Sequence, residues 1–335
     1  MRLLFVLFVS CFLIGCKGDA EKKEVASTGD AIVDQINSDI QSNPNNAELL
    51  YKRGLVMYEK AEYEQAISDA QKAILIDSLQ PKYFHLLSDS HLDYYQSRKA
   101  LDVMLKAGRS FPDHVLTLLK LSELQMILNQ YDNSIFTVNT IIGLDPQNAE
   151  GYFMLGMNFR AIKELDRAIN SFQTAVENDP ELIDAWIILG ELHEEKGVED
   201  PMKYYNAALN VSPDNPRVLH SIAYYLQNSG DRSGAIKKYR EINITSPDYT
   251  EAYLNAGLVY MDMDSLEQAF EQMNILAGIE PQNPLPYYYR GLIHKAYGNV
   301  EAAEIDFQNA VNLAPDFDLA ENELAEVKSI RQNAQ

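Results

Sequence analysis

Three histidines are the first residues to test for chemistry. His91, His193 and His294 lie 102 and 101 residues apart. Imidazoles bind metals or relay protons when they converge on one point. Separations this long place each on its own part of the chain. The equivalent places elsewhere hold Met57, Phe159, Leu226 and Tyr260, so a shared packing slot explains the three better than a metal site. The run His193-Glu194-Glu195-Lys196 lacks the second histidine of a HExxH zinc site. No GxGxxG, P-loop or GxSxG occurs in the chain. Carboxylates are plentiful, as on the solvated faces of any acidic helical protein. None is set beside a nucleophile or base at a spacing that names a reaction. The residues therefore imply no catalytic site, no metal and no cofactor. The chain carries 49 acidic and 28 basic side chains, a net charge of −21. That charge repels phosphate backbones and excludes nucleic acid as a partner.

The elements that position these residues repeat. In residues 149–182, Tyr152, Leu155, Gly156 and Phe159 recur at helical spacing. After a polar break from Lys163 to Asp166, Ala168, Phe172 and Ala175 do the same. That pattern is two amphipathic helices in a hairpin, ended by Pro180, which cannot continue the second. With Ala149 as position 1, position 8 across the chain is Gly54, Ser88, Ser122, Gly156, Gly190, Ala223, Gly257 and Gly291. Position 20 is Ala66, Ala100, Ser134, Ala168, Pro201, Ala235, Ala269 and Ala303. Position 32 is Ser78, then Pro112, Pro146, Pro180, Pro213, Pro247, Pro281 and Pro315. The period is 34 residues, shortened by one between Gly197 and Pro201.

This pattern resembles the tetratricopeptide repeat family, whose unit is a 34-residue helix–turn–helix. The resemblance covers residues 47–317 as eight repeats: 47–80, 81–114, 115–148, 149–182, 183–215, 216–249, 250–283 and 284–317. It implies an all-α fold, a right-handed superhelix or α-solenoid. Residues 29–46 hold Ile32, Val33, Ile36 and Ile40 on one face and read as an N-terminal capping helix. Residues 318–335 continue in phase and read as a C-terminal cap with a polar outer face. No linker or shift in composition divides 47–332, so the expectation is one superhelix.

The chain opens on Met1-Arg2 and an apolar run from Leu3 to Ile14, too short for a permanent span. It closes on Leu13-Ile14-Gly15-Cys16, which resembles a bacterial lipobox. The resemblance implies removal of residues 1–15 as a signal peptide and lipidation of Cys16, with diacylglycerol and palmitate as the membrane anchor. Lys17 follows where inner-membrane retention resembles Asp, so the expected location is the outer membrane of a Gram-negative bacterium. Cys11 and Cys16 are the only cysteines, so the mature chain would have no disulfide. Residues 16–28 read as the lipidated Cys and a flexible tether. Asp77-Ser78-Leu79 and Asp264-Ser265-Leu266 resemble an O-glycosylation acceptor of exported proteins, and turn chemistry explains them equally well.

In the family, positions 2, 5, 9, 12 and 13 of each first helix line a concave face. Carried over, they give a partner groove of Tyr51, Leu55, Tyr58, His85, Leu119, Phe153, Met157, Ile187, Tyr224, Leu254, Leu258, Tyr288 and Leu292. Twelve acids and four bases share those positions. An apolar, aromatic and acidic groove suits proteins or peptides with basic flanks. The family's carboxylate clamp has Lys at position 5 and Asn at position 9. Tyr51 and Leu55 stand there, which argues against an acidic peptide tail. The expected function is a lipid-anchored, non-enzymatic scaffold of the cell envelope. The alternative is a carbohydrate- or muropeptide-binding lipoprotein of an uptake system, with Tyr51, Tyr224 and Tyr288 stacking on sugars.

Overall fold

The computed structural model describes residues 29–197 and 199–333; the apolar leader, Cys16 and the tether through residue 28 lie outside the described residues. All eighteen elements among the described residues are α-helices. They form two compact units divided after Pro112. The repeat period runs through Pro112 unchanged, so the division leaves no mark in residue spacing.

The first unit holds α1 (Ala31–Ser42), α2 (Ala47–Glu59), α3 (Tyr63–Ile76), α4 (Pro81–Asp93) and α5 (Ser97–Ser110). Helices α2/α3 and α4/α5 pack as hairpins, with α1 against α2. The second unit begins with α6 (Val115–Ile127) and α7 (Tyr131–Leu144), then α8 (Ala149–Ala161) and α9 (Leu165–Asn178). It continues with α10 (Ile183–Lys196), α11 (Met202–Val211), α12 (Pro216–Asn228) and α13 (Arg232–Thr245). It ends with α14 (Thr250–Asp262), α15 (Leu266–Ile279), α16 (Pro284–Ala296), α17 (Val300–Leu313) and α18 (Asp318–Asn333). Consecutive pairs again form hairpins, and α18 packs on α17. Helix α11 has 10 residues where the other second helices of the hairpins have 14. Its late start at Met202 is where the one-residue shortfall falls.

Local chemistry starts and stops these helices. The Asn46 side chain accepts from the backbone N–H groups of Glu48 and Leu49 at 3.0 and 3.2 Å. Asn148 and Asn215 cap α8 and α12 in the same way. Each such cap satisfies donors that the first turn leaves open. The first helix of every hairpin ends on a left-handed residue at repeat position 15. These are Ala61, Tyr95, Asn129, Lys163, Gly197, Gly230, Asp264 and Gly298, with φ between 53° and 91°. In six of the eight the next N–H turns back to a carbonyl five residues earlier, as from Glu62 to Met57 at 2.8 Å. Five of the eight are not glycine, although a Cβ in this conformation costs roughly 1–2 kcal/mol.

Within a hairpin, a small residue on the first helix makes room for a large one on the second. A Cβ added at Gly156 would lie 2.8 Å from the ring of Phe172. One at Gly190 would lie 2.3 Å from Tyr205, and one at Gly291 2.6 Å from Phe307. Those three rings are fully buried. Close backbone approach thus exchanges helix propensity for aromatic burial.

One polar motif is built into the core twice. Arg53 Nε and Nη2 donate to the two carboxylate oxygens of Asp69, both at 2.7 Å. Arg290 makes the same fork on Asp306, at 3.2 and 2.7 Å. Both arginines sit at repeat position 7 and both aspartates at position 23. Each arginine donates a third bond to an asparagine on the preceding helix: Asn37 for Arg53 at 2.7 Å, and Asn274 for Arg290 at 3.1 Å. Asp69 and Asp306 are buried. A planar guanidinium fits this forked pairing and an ammonium does not.

Candidate protein-binding groove

A concave site in the second unit is a pocket of about 460 Å³. It lies across the first helices of three successive hairpins. Helix α8 contributes Arg160; α10 contributes Glu191, Glu194 and Glu195; α12 contributes His220, Ser221 and Tyr224, and Tyr205 of α11 adds to the lining. All but Ser221 and Tyr205 stand at the groove positions expected from the repeat. Tyr205 was missed because it belongs to a second helix. Its signal was present at Gly190, the gap that its ring fills.

Arg160 Nη2 donates to Glu191 at 2.8 Å, which offsets one carboxylate and leaves Glu194 and Glu195 in excess. Asn228 donates to Glu194 at 3.3 Å. His220 Nε2 lies 2.8 Å from the Asn255 amide nitrogen. Its ring runs nearly parallel to that of Tyr224 and tilts against Tyr239 and Tyr249. Burial holds the His220 imidazole below its ordinary value of 6.5 and raises the Tyr205 phenol. At neutral pH His220 therefore brings no positive charge to the pocket. The chemistry offered is two surplus carboxylates beside aromatic faces.

Groove positions also bond to their counterparts one repeat on. In the first unit, Lys82 bonds Glu48 at 2.6 Å and Tyr58 donates to Asp93. The Lys82 bond lowers the Glu48 carboxyl below its ordinary value. In the second unit, Arg217 bonds Asp184 at 2.7 Å, and Lys295 pairs with Glu323 and Glu326. Every one of the four groove cations is thus held by a carboxylate. The side chains left over for a partner are acidic and aromatic.

The thirteen expected groove residues are not equally accessible. Tyr224 is the most open, 48% exposed. Two expectations need correction. His85 is buried within α4, where every residue from Tyr83 to Ser88 is buried. Ile187 is 4% exposed and packs with Tyr205, Val218 and Ile222 in the core. Both stand at position 5, whose side chain is covered by the neighbouring hairpin when that hairpin packs closely. Of the others in the first unit, Tyr51, Leu55 and Tyr58 are half-buried against Leu86, Leu87 and Tyr83. In the second, Phe153 and Met157 lean on the cluster around Phe172, and Tyr288 and Leu292 on that around Phe307. Leu119, Leu254 and Leu258 are half-buried. These present an edge rather than a whole side chain.

The three histidines of matching register do not meet. His91 is buried in the first unit, with Nδ1 3.0 Å from Gln96 Oε1. His193 is buried and stacks on Tyr204, with ring centroids 4.5 Å apart. His294 lies 3.7 Å from Asp306 and edge-on to Phe270. Burial lowers the pKa of His91 and His193, as it does for His220. A lowered folded pKa means that the unfolded chain binds more protons below about pH 6.5, so stability rises with pH through that window. Acidification from about pH 7 to about pH 5 is expected to lower the thermal midpoint. His193→Phe is expected to flatten that dependence, read by calorimetry across the range. A midpoint that rises on acidification would contradict the burial of these rings as neutral groups.

Residues 149–182 match a family model described as a tetratricopeptide repeat. The human protein "Tetratricopeptide repeat protein 6" is 27% identical over 163 residues, which cover 48% of this chain and 31% of that one. "TPR repeat-containing protein YpiA" of Bacillus subtilis is 23% identical over 272 residues, covering 78% of this chain and 62% of that one. The chain thus spans less than two-thirds of the length of either relative. A solved tetratricopeptide repeat protein from Parabacteroides merdae superposes with a TM-score of 0.52 at 16% identity, over 74% of this chain and 98% of that one. The fold is a stack of helical hairpins of the tetratricopeptide type.

Proposed function

We propose that this chain is a non-enzymatic scaffold of the bacterial cell envelope, anchored by a lipid on Cys16, that holds a partner protein in its acidic and aromatic groove. The pocket between Arg160 and Tyr224 carries this reading. Three first helices build it, its one arginine is already paired, and its surplus carboxylates stand beside aromatic rings. Such a surface recognises a segment with basic flanks. Tetratricopeptide repeats generally bind proteins or peptides, which supports the class of partner. The anchor rests on the residues from Leu13 to Cys16. Helical hairpins without a nucleophile–base pair or a metal motif support a binding role over a catalytic one.

The test uses the full chain in detergent, with solubilised envelope passed over it. Wild type is expected to retain a partner protein. A Glu194→Lys/Glu195→Lys variant, checked for folding by circular dichroism, is expected to hold it at least about tenfold less tightly, since like charges face each other across the interface. Equal capture by both would sink the groove reading. Retention of glycan alone would favour the uptake function instead. In parallel, Cys16→Ser is expected to release the protein from the membrane fraction. Continued membrane association of that variant would remove the anchor from the proposal.

A further inference from the structure

The turn between α4 and α5 carries a residue that the fold does not ask for. Tyr95 is 97% exposed and sits in the left-handed conformation at φ 57°. The same turn position elsewhere holds alanine, asparagine, lysine, aspartate or glycine. A bulky side chain is uncommon there, and at this exposure it gains nothing from burial. The left-handed backbone is common to all eight turns; what sets Tyr95 apart is a large ring carried there in full contact with solvent. It is not alone. Tyr94 is also exposed, its ring lies 6.2 Å from Tyr63, and Tyr63 lies 5.9 Å from Tyr58. Tyr58, Tyr63 and Tyr94 therefore form a chain of neighbouring rings in the first unit, and Tyr95 follows Tyr94 in the same turn. Tyr94 and Tyr95 are exposed, with Tyr58 and Tyr63 half-buried behind them, and clustered aromatic surface of this kind is characteristic of interaction sites.

Charge decides what would cover it. Tyr58 donates its hydroxyl to Asp93, and Tyr94 donates to Glu64 at 2.6 Å. The same turns and the helix ends beside them carry Glu59 and Glu62; of their cations, Lys60 is bonded to Asp30, and Arg98 and Lys99 stand at the start of α5, so the acids Glu59, Glu62, Glu64 and Asp93 outnumber them. Phenol faces ringed by carboxylates attract a guanidinium through both the ring quadrupole and the surrounding charge. A neutral sugar would use the rings and gain nothing from the carboxylates.

We propose that the tyrosine cluster formed by Tyr58, Tyr63, Tyr94 and Tyr95 docks an arginine-bearing segment of a partner protein. This surface is separate from the pocket of the second unit, and either can fail without the other.

The test titrates the full chain in detergent micelles, with ring-labelled tyrosine, and follows the Tyr94 and Tyr95 signals by NMR. The probes are the peptide acetyl-Arg-Gly-Arg-Gly-amide, its analogue with both arginines replaced by neutral citrulline, and maltohexaose. The arginine peptide is expected to shift those signals, less so at high salt, and the citrulline peptide is not. Tyr95→Gly is expected to weaken binding by about fivefold or more, on the scale of exposed cation–π contacts. The same substitution relieves the left-handed strain and is expected to raise the melting temperature, so lost binding cannot be put down to unfolding. Equal shifts from the citrulline peptide, a response to maltohexaose alone, no response to any probe, or full binding by Tyr95→Gly would each overturn the proposal.

Discussion

Arg53→Met is expected to destabilise the first unit by about 3–5 kcal/mol, because it strands the buried Asp69 carboxylate without its cation. Asp69 is fully buried and both its oxygens are engaged by the one guanidinium. That bond also holds the Arg53 pKa above its ordinary value. Asn37 would lose a donor in the same step. A loss of this size is a large share of the roughly 5–15 kcal/mol that holds a domain together. The double variant Arg53→Met/Asp69→Leu is expected to recover most of it, since two apolar side chains can pack where a charge pair stood. Urea denaturation of the full chain, followed by circular dichroism, reads the comparison. A single variant that costs under about 1 kcal/mol would mean that the pair behaves as a surface salt bridge.

The second large effect is expected at Gly156 and Phe172. Phe172→Ala removes a fully buried ring and is expected to cost about 3–5 kcal/mol. Gly156→Ala places a methyl group 2.8 Å from that ring and is expected to cost about 1–3 kcal/mol by overpacking. Helix propensity alone would have made that change favourable by about 1 kcal/mol. Combined, the two should cost less than their sum, because the alanine at 156 then fills part of the space the phenyl leaves. A double-mutant cycle measures that coupling. Additive losses would show that the two side chains do not compete for one volume.

The sequence disclosed the periodic parts of this protein more readily than the singular ones. Small residues at Gly156, Gly190 and Gly291, and prolines closing seven of the eight repeats, show plainly in the spacing because the same packing and the same helix ending recur along the chain. The left-handed turn residue is equally regular in the structure but invisible in composition. Lys163 and Tyr95 occupy it as Gly298 does, because the hydrogen bonds that close the first helix hold the backbone there despite the cost of a Cβ. Arg53 and Arg290 stand at a position that elsewhere holds Leu87, Leu121 or Leu155, so an apolar pattern hides them. Groove positions were legible as a helix face, yet His85 and Ile187 show that a face is not the same as an accessible surface. Whether a side chain at position 5 is open depends on how closely the next hairpin packs, and that is set by residues a full repeat away. The break after Pro112 had no local signal either.

The two buried arginine forks lie in the hairpins next to the terminal helices α1 and α18. In a stack of repeats each hairpin is braced by its neighbours, and those near the ends have the fewest, so unzipping would normally begin there. A forked ion pair has to be broken and rehydrated before either hairpin can peel away, and each fork also ties down an asparagine on the helix before it. Amide hydrogens in α2, α3, α16 and α17 should therefore exchange with solvent more slowly than those of a hairpin held at the edge of its unit by apolar contacts alone. Within each unit the hairpin that carries the fork would be latched, with opening favoured at hairpins that have only apolar contacts to release.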